Sequence, residues 1–556
     1  MSRIGAFAFA AAAVAVAAPA AFGAVGDMTA VTPAVTGADQ TIRGIATGPS
    51  GNVWFTMPAS GQIVRMNPQT QAVTQFDVSG AICEPQSIAL GPDGAMWFGC
   101  QDGSIGRITT AGDVTYYAVG TPGQRPTFAR VDTVITGPDG NIWFAQFSVG
   151  IVGIVSPASG FLKRMQVQPA PVGGLTVGGD GNVWATYLND FLMYRITPGG
   201  RVSEVPVGAQ VASIATAPSG DVWGVPFGGT AEIQVVPPAG AARSLPLGSF
   251  SSTIARGPLG FMWVGDNTAG RITRVAADGA LTTYTAGISW NPRFRGVAAG
   301  ADGNMWFAGD PDPSGNATLF RVATGAVPTV LAAPSISGAA TAGATLTADP
   351  GAWTYQPSSY AYRWERCTTA ASGCTVIAGA TAQKYKVTAA DAARYLRVGV
   401  VATNLSGPSV LAYSKTIADG DTVVPGGGAA AGGGTPRGTS SPGAYVGPVA
   451  IGENTLLWTR GSATAITTGY RVAGAGHFAQ SATARGVKIC STSRTVTAAG
   501  TYTATCRLNV VARAMQRSRP LRVTVTSTYT QDGLPTAIAQ VRLTLPRTGG
   551  AAPVTG

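Results

Sequence analysis

The sequence predicts an all-β chain: a seven-bladed β-propeller, then an immunoglobulin-like β-sandwich, then a second C-terminal β-sandwich-like module. Three observations carry that expectation. Gly-x-x-Trp recurs seven times, as Gly51/Trp54, Gly94/Trp97, Gly140/Trp143, Gly181/Trp184, Gly220/Trp223, Gly260/Trp263 and Gly303/Trp306. Successive tryptophans lie 43, 46, 41, 39, 40 and 43 residues apart, with no helical stretch between them, which is the spacing of one four-stranded sheet per repeat. Beyond residue 334 the period stops, and short alternating strands with turn punctuation take over.

In chain order, residues 1–24 read as a secretory signal peptide: Arg3, an alanine-rich apolar run, then small residues around Ala18-Pro19-Ala20. No later stretch is apolar enough to span a bilayer as a helix, so a transmembrane segment is not expected after signal removal. Residues 27–330 are the propeller. Each unit starts with an apolar strand (Ile45, Ile88, Val134, Leu175, Ile214, Ile254, Val297) and turns through a segment such as Gly137-Pro138-Asp139-Gly140-Asn141. There Pro presets φ, Asp caps the turn and Gly takes a conformation that a Cβ disfavours. The Trp strand follows, its large ring expected between neighbouring blades. Arg65, Arg107, Arg195, Arg274 and Arg321 stand at equivalent places on a third strand. Because they recur with the repeat, they are expected to serve a structural contact of the repeat. The seventh unit lacks a fourth strand of its own, and Met28-Thr29-Ala30-Val31-Thr32 is expected to supply it, closing two open edges.

Six cysteines form three local pairs, read as disulfides of an exported protein: Cys83 with Cys100, Cys367 with Cys374, and Cys490 with Cys506. With a single histidine in the chain, a thiolate metal site is not expected. Residues 334–419 are the immunoglobulin-like unit. Tyr362-Arg363-Trp364 and Asp391-Ala392-Ala393-Arg394-Tyr395 resemble the immunoglobulin-like domains of bacterial exported proteins, with Arg397 standing where a second inter-sheet cysteine would be. Residues 420–444 are a Gly/Ser/Pro-rich linker, 445–546 a basic β-rich module and 547–556 a flexible tail. Leu545-Pro546-Arg547-Thr548-Gly549 matches a sortase signal but lacks the apolar span and basic tail that normally follow, and chance is the preferred reading.

The formal net charge of +11 is concentrated in one place. From residue 440 onward twelve basic residues face only Glu453 and Asp532, so this module carries ten of those charges. Arg513, Arg517, Arg519 and Arg522 are expected to form an anion-binding face for an anionic cell-envelope polymer. Specific nucleic-acid binding is not expected, since no recognition motif is present.

Gly137-Pro138-Asp139-Gly140-Asn141-Ile142-Trp143-Phe144, with Ile105-Gly106-Arg107-Ile108, resembles the streptogramin B lyase (virginiamycin B lyase) family of seven-bladed propellers over about residues 27 to 325. The resemblance implies elimination on a cyclic depsipeptide, with a histidine base and magnesium as cofactor. It places the base where a blade's first strand begins, at the mouth of the central channel. Carried over, those positions are Arg43, Gln86, Asp132, Gly173, Ala212, Ser252 and Arg295, and none is histidine. Glutamine cannot take up a proton at working pH as histidine can. A family glutamate closing the Trp strand corresponds to a carboxylate only at Asp266. The lone histidine, His477, lies beyond the linker and reads as a surface or partly packed residue.

No catalytic residue is assigned from this pattern, and no cofactor is expected unless the lyase reading holds. The mouth instead offers Arg43, Glu84, Gln86, Asp132, Asp266 and Arg295 as ligand-binding candidates for a small molecule or peptide. No nucleophile elbow, phosphate-binding glycine loop or zinc signature is present. The leading reading is a secreted or cell-surface bacterial protein whose propeller binds a ligand while the sandwiches space and attach it. A magnesium-dependent lyase and a purely structural extracellular component are the alternatives.

Overall fold

A computed structural model describes residues 23–545, apart from residues 38, 80–82, 120–129, 168–171, 189, 227–230, 249–250, 267–269, 286, 288, 424–444, 447–448, 452–453, 462–463, 473–475, 485–486, 497–499, 510–511, 513–514, 516–520 and 532–536. The expected signal peptide, most of the linker, the tail and Arg513, Arg517 and Arg519 fall outside the described residues.

Seven antiparallel four-stranded sheets follow one another from residue 28 to residue 322. Blade 1 comprises Ile45–Thr47, Val53–Met57, Gln62–Met66 and Val73–Asp77, each strand pairing with the next. Blade 7 takes Phe294–Ala299, Met305–Gly309 and Thr318–Val322 from the end of the repeat, and Met28–Val31 from its beginning. Met28 lies opposite Val322 and Val31 opposite Leu319, so the ring closes by mixing its first and last segments, as expected. Closure covers the outer edge of Thr318–Val322 and gives blade 7 the same four strands as the others.

The tryptophans seal each blade to the next. All seven are at most 2% exposed. Trp54 packs with Ile88, Met96 and Phe98 of blade 2, and Trp97 with Val131, Val134 and Phe144 of blade 3. The same step repeats around the ring until Trp306 meets Ile45, Val53 and Phe55 of blade 1. Where the preceding turn carries aspartate, its carboxylate accepts from the indole: Trp97 Nε1 to Asp93 at 3.0 Å, Trp143 to Asp139 at 2.9 Å, Trp184 to Asp180 at 3.1 Å and Trp306 to Asp302 at 3.3 Å. Blades 1, 5 and 6 have Ser50, Ser219 and Leu259 there instead, and Trp54, Trp223 and Trp263 bury an indole N–H with no partner. The recurrent arginines brace the same assembly. Arg107 pairs with Asp93 at 2.5 Å and Arg195 with Asp180 at 3.7 Å, whereas Arg65 lies 5.7 Å from the Trp54 ring and Arg274 4.4 Å from Phe261.

The immunoglobulin-like unit packs a four-stranded sheet (Lys384–Lys386, Thr345–Asp349, Ser335–Ala339, Thr422–Val423) against one built on Ser359–Cys367 and Tyr395–Asn404. Trp364, Leu346, Leu396, Val398 and Val400 form its core. Val330–Ala332 and Thr422–Val423 join its strands just outside the expected limits. The reading of Arg397 as a replaced core position is corrected. Strand alternation puts Leu396 and Val398 inside and Arg397 on the opposite face, where its Nε donates to Glu365 at 2.8 Å and its guanidinium lies 3.9 Å from the Tyr413 ring.

Contacts join this unit to the propeller. The buried Asn404 amide donates to the carbonyls of Asp302 at 3.2 Å and Ala326 at 2.8 Å. Gln356 donates to the Ser50 carbonyl at 2.9 Å and accepts from Gln69 at 2.8 Å. Gly51 shows how close the approach is: a Cβ there would come within 2.0 Å of the Gln356 amide. These contacts lie at the turns that end the first strands of blades 1 and 7, the face opposite the strand starts.

The C-terminal module is a sandwich. One sheet contains Asn454–Gly461, Ala465–Val472 and Gly500–Arg507; the other contains Val487–Val496, Gly476–Ala484, Leu521–Gln531 and Ala537–Leu545. Ile466, Tyr470, Phe478, Val523 and Val525 are buried between them. All three expected disulfides are present. Cys83–Cys100 is buried in blade 2, Cys367–Cys374 ties a hairpin, and Cys490–Cys506 links the two C-terminal sheets. Among the described residues no helix is long and apolar enough to cross a membrane.

Candidate ligand site at the channel mouth

The start of each blade's first strand shares one local irregularity. The register slips between Pro85 and Ser87, Val131 and Thr133, Val172 and Leu175, Val211 and Ser213, Ser251 and Thr253, and Phe294 and Gly296. The residues skipped include Gln86, Asp132, Gly173, Ala212, Ser252 and Arg295. In blade 1, Ile45 pairs with Phe55, and the Thr56 carbonyl accepts from Arg43 N at 3.1 Å while Thr56 N donates to Gly44 O at 3.0 Å, which sets Arg43 at the same place. A bulge frees its residue from the ladder and re-aims its side chain. Six of the seven mouth positions carried over from the repeat are thus bulge positions, and Arg43 stands just before the corresponding strand of blade 1.

The ring is uneven. Blades 7, 1, 2 and 3 present Arg295, Arg43, Gln86 and Asp132; blades 4, 5 and 6 present Gly173, Ala212 and Ser252. Asp132 accepts from Arg130 Nη2 at 2.8 Å, and the Arg130 guanidinium lies 5.0 Å from the Phe147 ring. Arg295 Nε donates to Asp310 at 2.6 Å. Arg43 has a lowered pKa. Its enclosure at the mouth is the largest cause, and the nearby charges of Arg130 and Arg295 add to it, while Asp132 offsets them in part. Arg43, Arg130, Asp132 and Arg295 therefore share one electrostatic neighbourhood.

Other candidates stand apart from that group. Gln86 is 3% exposed and turned back to donate to the Glu84 carbonyl at 3.0 Å, with its Oε1 lacking a partner. Glu84 itself is exposed. Asp266, 1% exposed, is held at 3.0 Å by Arg271, whose side chain is itself well exposed, within blade 6. In the C-terminal module Arg522 is exposed, and His477 is exposed with Thr495 Oγ1 at 3.5 Å. A hollow of about 420 Å³ on that module is lined by Ser481, Ser491, Ser493, Thr526 and Thr528 and contains none of the expected site residues. Sequence reasoning missed Arg130 and Asp310. The only signal was their closeness in sequence to Asp132 and to the end of blade 7's second strand.

Magnesium does not fit this mouth. It asks for oxygen ligands with at least one or two free carboxylates. Asp132 is engaged by Arg130, Glu84 alone would supply an unengaged carboxylate, and the positive charges of Arg43, Arg130 and Arg295 act on one another there and oppose a further cation. Among the described residues no cluster of three or more His, Cys, Asp or Glu side chains could hold a metal.

No curated protein matches the chain. Solved structures similar to it include the following three. One is titled as a streptogramin B lyase, with 21% identity, covering 53% of this chain and 98% of that one, at a TM-score of 0.47. Virginiamycin B lyase from Staphylococcus aureus has 20% identity, covering 53% and 99%, at a TM-score of 0.47. A catalytically inactive form of that enzyme with quinupristin has 20% identity, covering 53% and 100%, at 0.47. The model of the virginiamycin B lyase family matches residues 28–223 and 160–356, more than half of the sequence, and the chain belongs to that family.

Proposed function

We propose that this family member is an exported binding protein. Its propeller holds a ligand or partner at the channel mouth without carrying out the elimination, and its two sandwiches space and attach it at the bacterial surface. One observation carries the reading: the propeller contains no histidine, and the strand-start positions where the family base is expected hold Arg43, Gln86, Asp132, Gly173, Ala212, Ser252 and Arg295. Gln86 could not serve even as a weak base, and Asp132 is committed to an arginine. Three disulfides support an oxidising compartment. The bulges support binding, because those at Asp132 and Arg295 release charged side chains from the ladder at the rim opposite the contacts with the immunoglobulin-like unit.

Family membership favours one second reading, a magnesium-dependent lyase acting on a cyclic depsipeptide. The purified chain incubated with quinupristin and magnesium separates the two. The binding reading expects the cyclic molecule to be recovered intact, with no linear isomer above a heat-inactivated control. Linear product that disappears on Glu84→Gln or Asp132→Asn would establish the lyase instead.

A further inference from the structure

Arg43 differs from its charged neighbours at the mouth. Arg130 is paired with Asp132 and Arg295 with Asp310, but the Arg43 side chain makes no hydrogen bond or ion pair to any described residue. Asp39, the other acid near Arg295, is already held by Thr41, whose N–H donates to its Oδ1 at 2.8 Å. What this arrangement lacks beside Arg43 is one negative charge. The lowered pKa of Arg43 says the same thing energetically, since enclosure and two like charges disfavour its cation more than Asp132 favours it.

The other half of the ring carries no charge at these positions. Gly173, Ala212 and Ser252 stand at the bulges of blades 4, 5 and 6, so an uncharged ligand body meets no charged group at them while its charged end faces blades 7, 1 and 3. We infer that the mouth recognises the carboxylate end of an otherwise uncharged molecule, with Arg43 as the bidentate anchor and Arg130 and Arg295 flanking it. This rests on the proposal that the mouth is a ligand site. A planar guanidinium matches the two oxygens of a carboxylate with parallel N–H···O bonds. A phosphate dianion would bring two charges where one guanidinium is unpaired. The inference predicts selectivity for the acid over both phosphate and the corresponding amide.

The experiment titrates the full chain calorimetrically with N-acetylphenylalanine, its carboxamide and inorganic phosphate, on the wild type, Arg43→Gln, Arg43→Lys and Ala212→Phe. The Arg43 backbone reaches the surface and its side chain has no hydrogen bond or ion pair to a described residue that a substitution would break, so neither substitution there should lower the melting temperature, which is recorded for every variant. The acid is expected to bind at least about tenfold more tightly than the amide, Arg43→Gln to erase that preference, and Arg43→Lys to restore part of it. Equal binding of acid and amide, a preference that survives Arg43→Gln, or phosphate outcompeting the acid would overturn the carboxylate assignment. If acid and amide bind equally but Ala212→Phe abolishes both, the mouth remains a ligand site and only the carboxylate reading falls. If no probe binds, or binding is untouched by Ala212→Phe, both readings fall.

Discussion

Replacing Asp93 with alanine isolates the contribution of the turn aspartate to blade packing. Asp93 Oδ1 accepts from Trp97 Nε1 at 3.0 Å and from Ala95 N at 3.3 Å, and its Oδ2 accepts from Arg107 Nε at 2.5 Å. The Arg107 and Asp93 side chains are 25% and 20% exposed, so solvent screens their ion pair and its share is small. The Trp97 indole is fully buried, and orphaning its N–H costs about 1–3 kcal/mol. The whole substitution should therefore destabilise the propeller by about 2–4 kcal/mol. The reverse change is available in the same molecule. Ser219 occupies the equivalent turn of blade 5, and Trp223 Nε1 has no partner there, so Ser219→Asp should stabilise by up to about 1 kcal/mol. Urea unfolding followed by tryptophan fluorescence reads both, since seven of the eleven tryptophans sit between blades. A change below about 0.5 kcal/mol for Asp93→Ala would refute the claim that these indoles depend on a turn acceptor.

In the immunoglobulin-like unit, burial alone would raise the pKa of Asp391, but hydrogen bonds from Thr388, Tyr385 and Arg366 outweigh it and hold the pKa below 3.8. A depressed folded-state pKa means stability that is present above the unfolded value and lost as pH falls through the folded one. Acid unfolding of this unit below about pH 4 should therefore be blunted in Asp391→Asn, which is also less stable at pH 7. Asn404→Ala leaves the Asp302 and Ala326 carbonyls without their donor and should cost about 1–3 kcal/mol, read as the joint melting transition of propeller and sandwich splitting into two. Reduction should unfold the C-terminal module before the propeller. Cys490–Cys506 joins its two sheets across a separation of 16 residues, worth about 3 kcal/mol, while blade 2 has six other blades to hold it. Proteolysis under mild reductant checks the order, and early cleavage within blades would contradict it.

What was legible in the sequence was whatever the repeat enforces. The Gly-x-x-Trp period located the blades because each must pack its tryptophan on the next, and the likeness of Met28–Thr32 to other outer strands disclosed the closure. Two of the cysteine pairs were legible because strand pairing brings near neighbours together, and Cys490–Cys506, which joins two sheets, because consecutive strands face each other across the sandwich. The site was less so. A bulge is a property of two strands and their turn, and no residue type marks it, so the shared irregularity at Gln86, Asp132 and Arg295 was invisible. Which charges are free depends on pairing: Asp266 is spent on Arg271, while Arg43 is spent on nothing described. Arg397 was misplaced by a single step of strand alternation, which reverses the face of a side chain. The contact of Asn404 with Asp302 spans 102 residues and follows no local pattern.

Hydrogen exchange on the full chain, with and without N-acetylphenylalanine, tests most directly whether the channel mouth is where this protein binds. Amides at the bulges report local opening, and a ligand resting there should slow their exchange. The account predicts protection at residues 42–44, 86–87, 131–133 and 294–296, with the outer strands and the C-terminal module unchanged. Protection confined to the C-terminal module, or to outer strands such as Val73–Asp77, would contradict it.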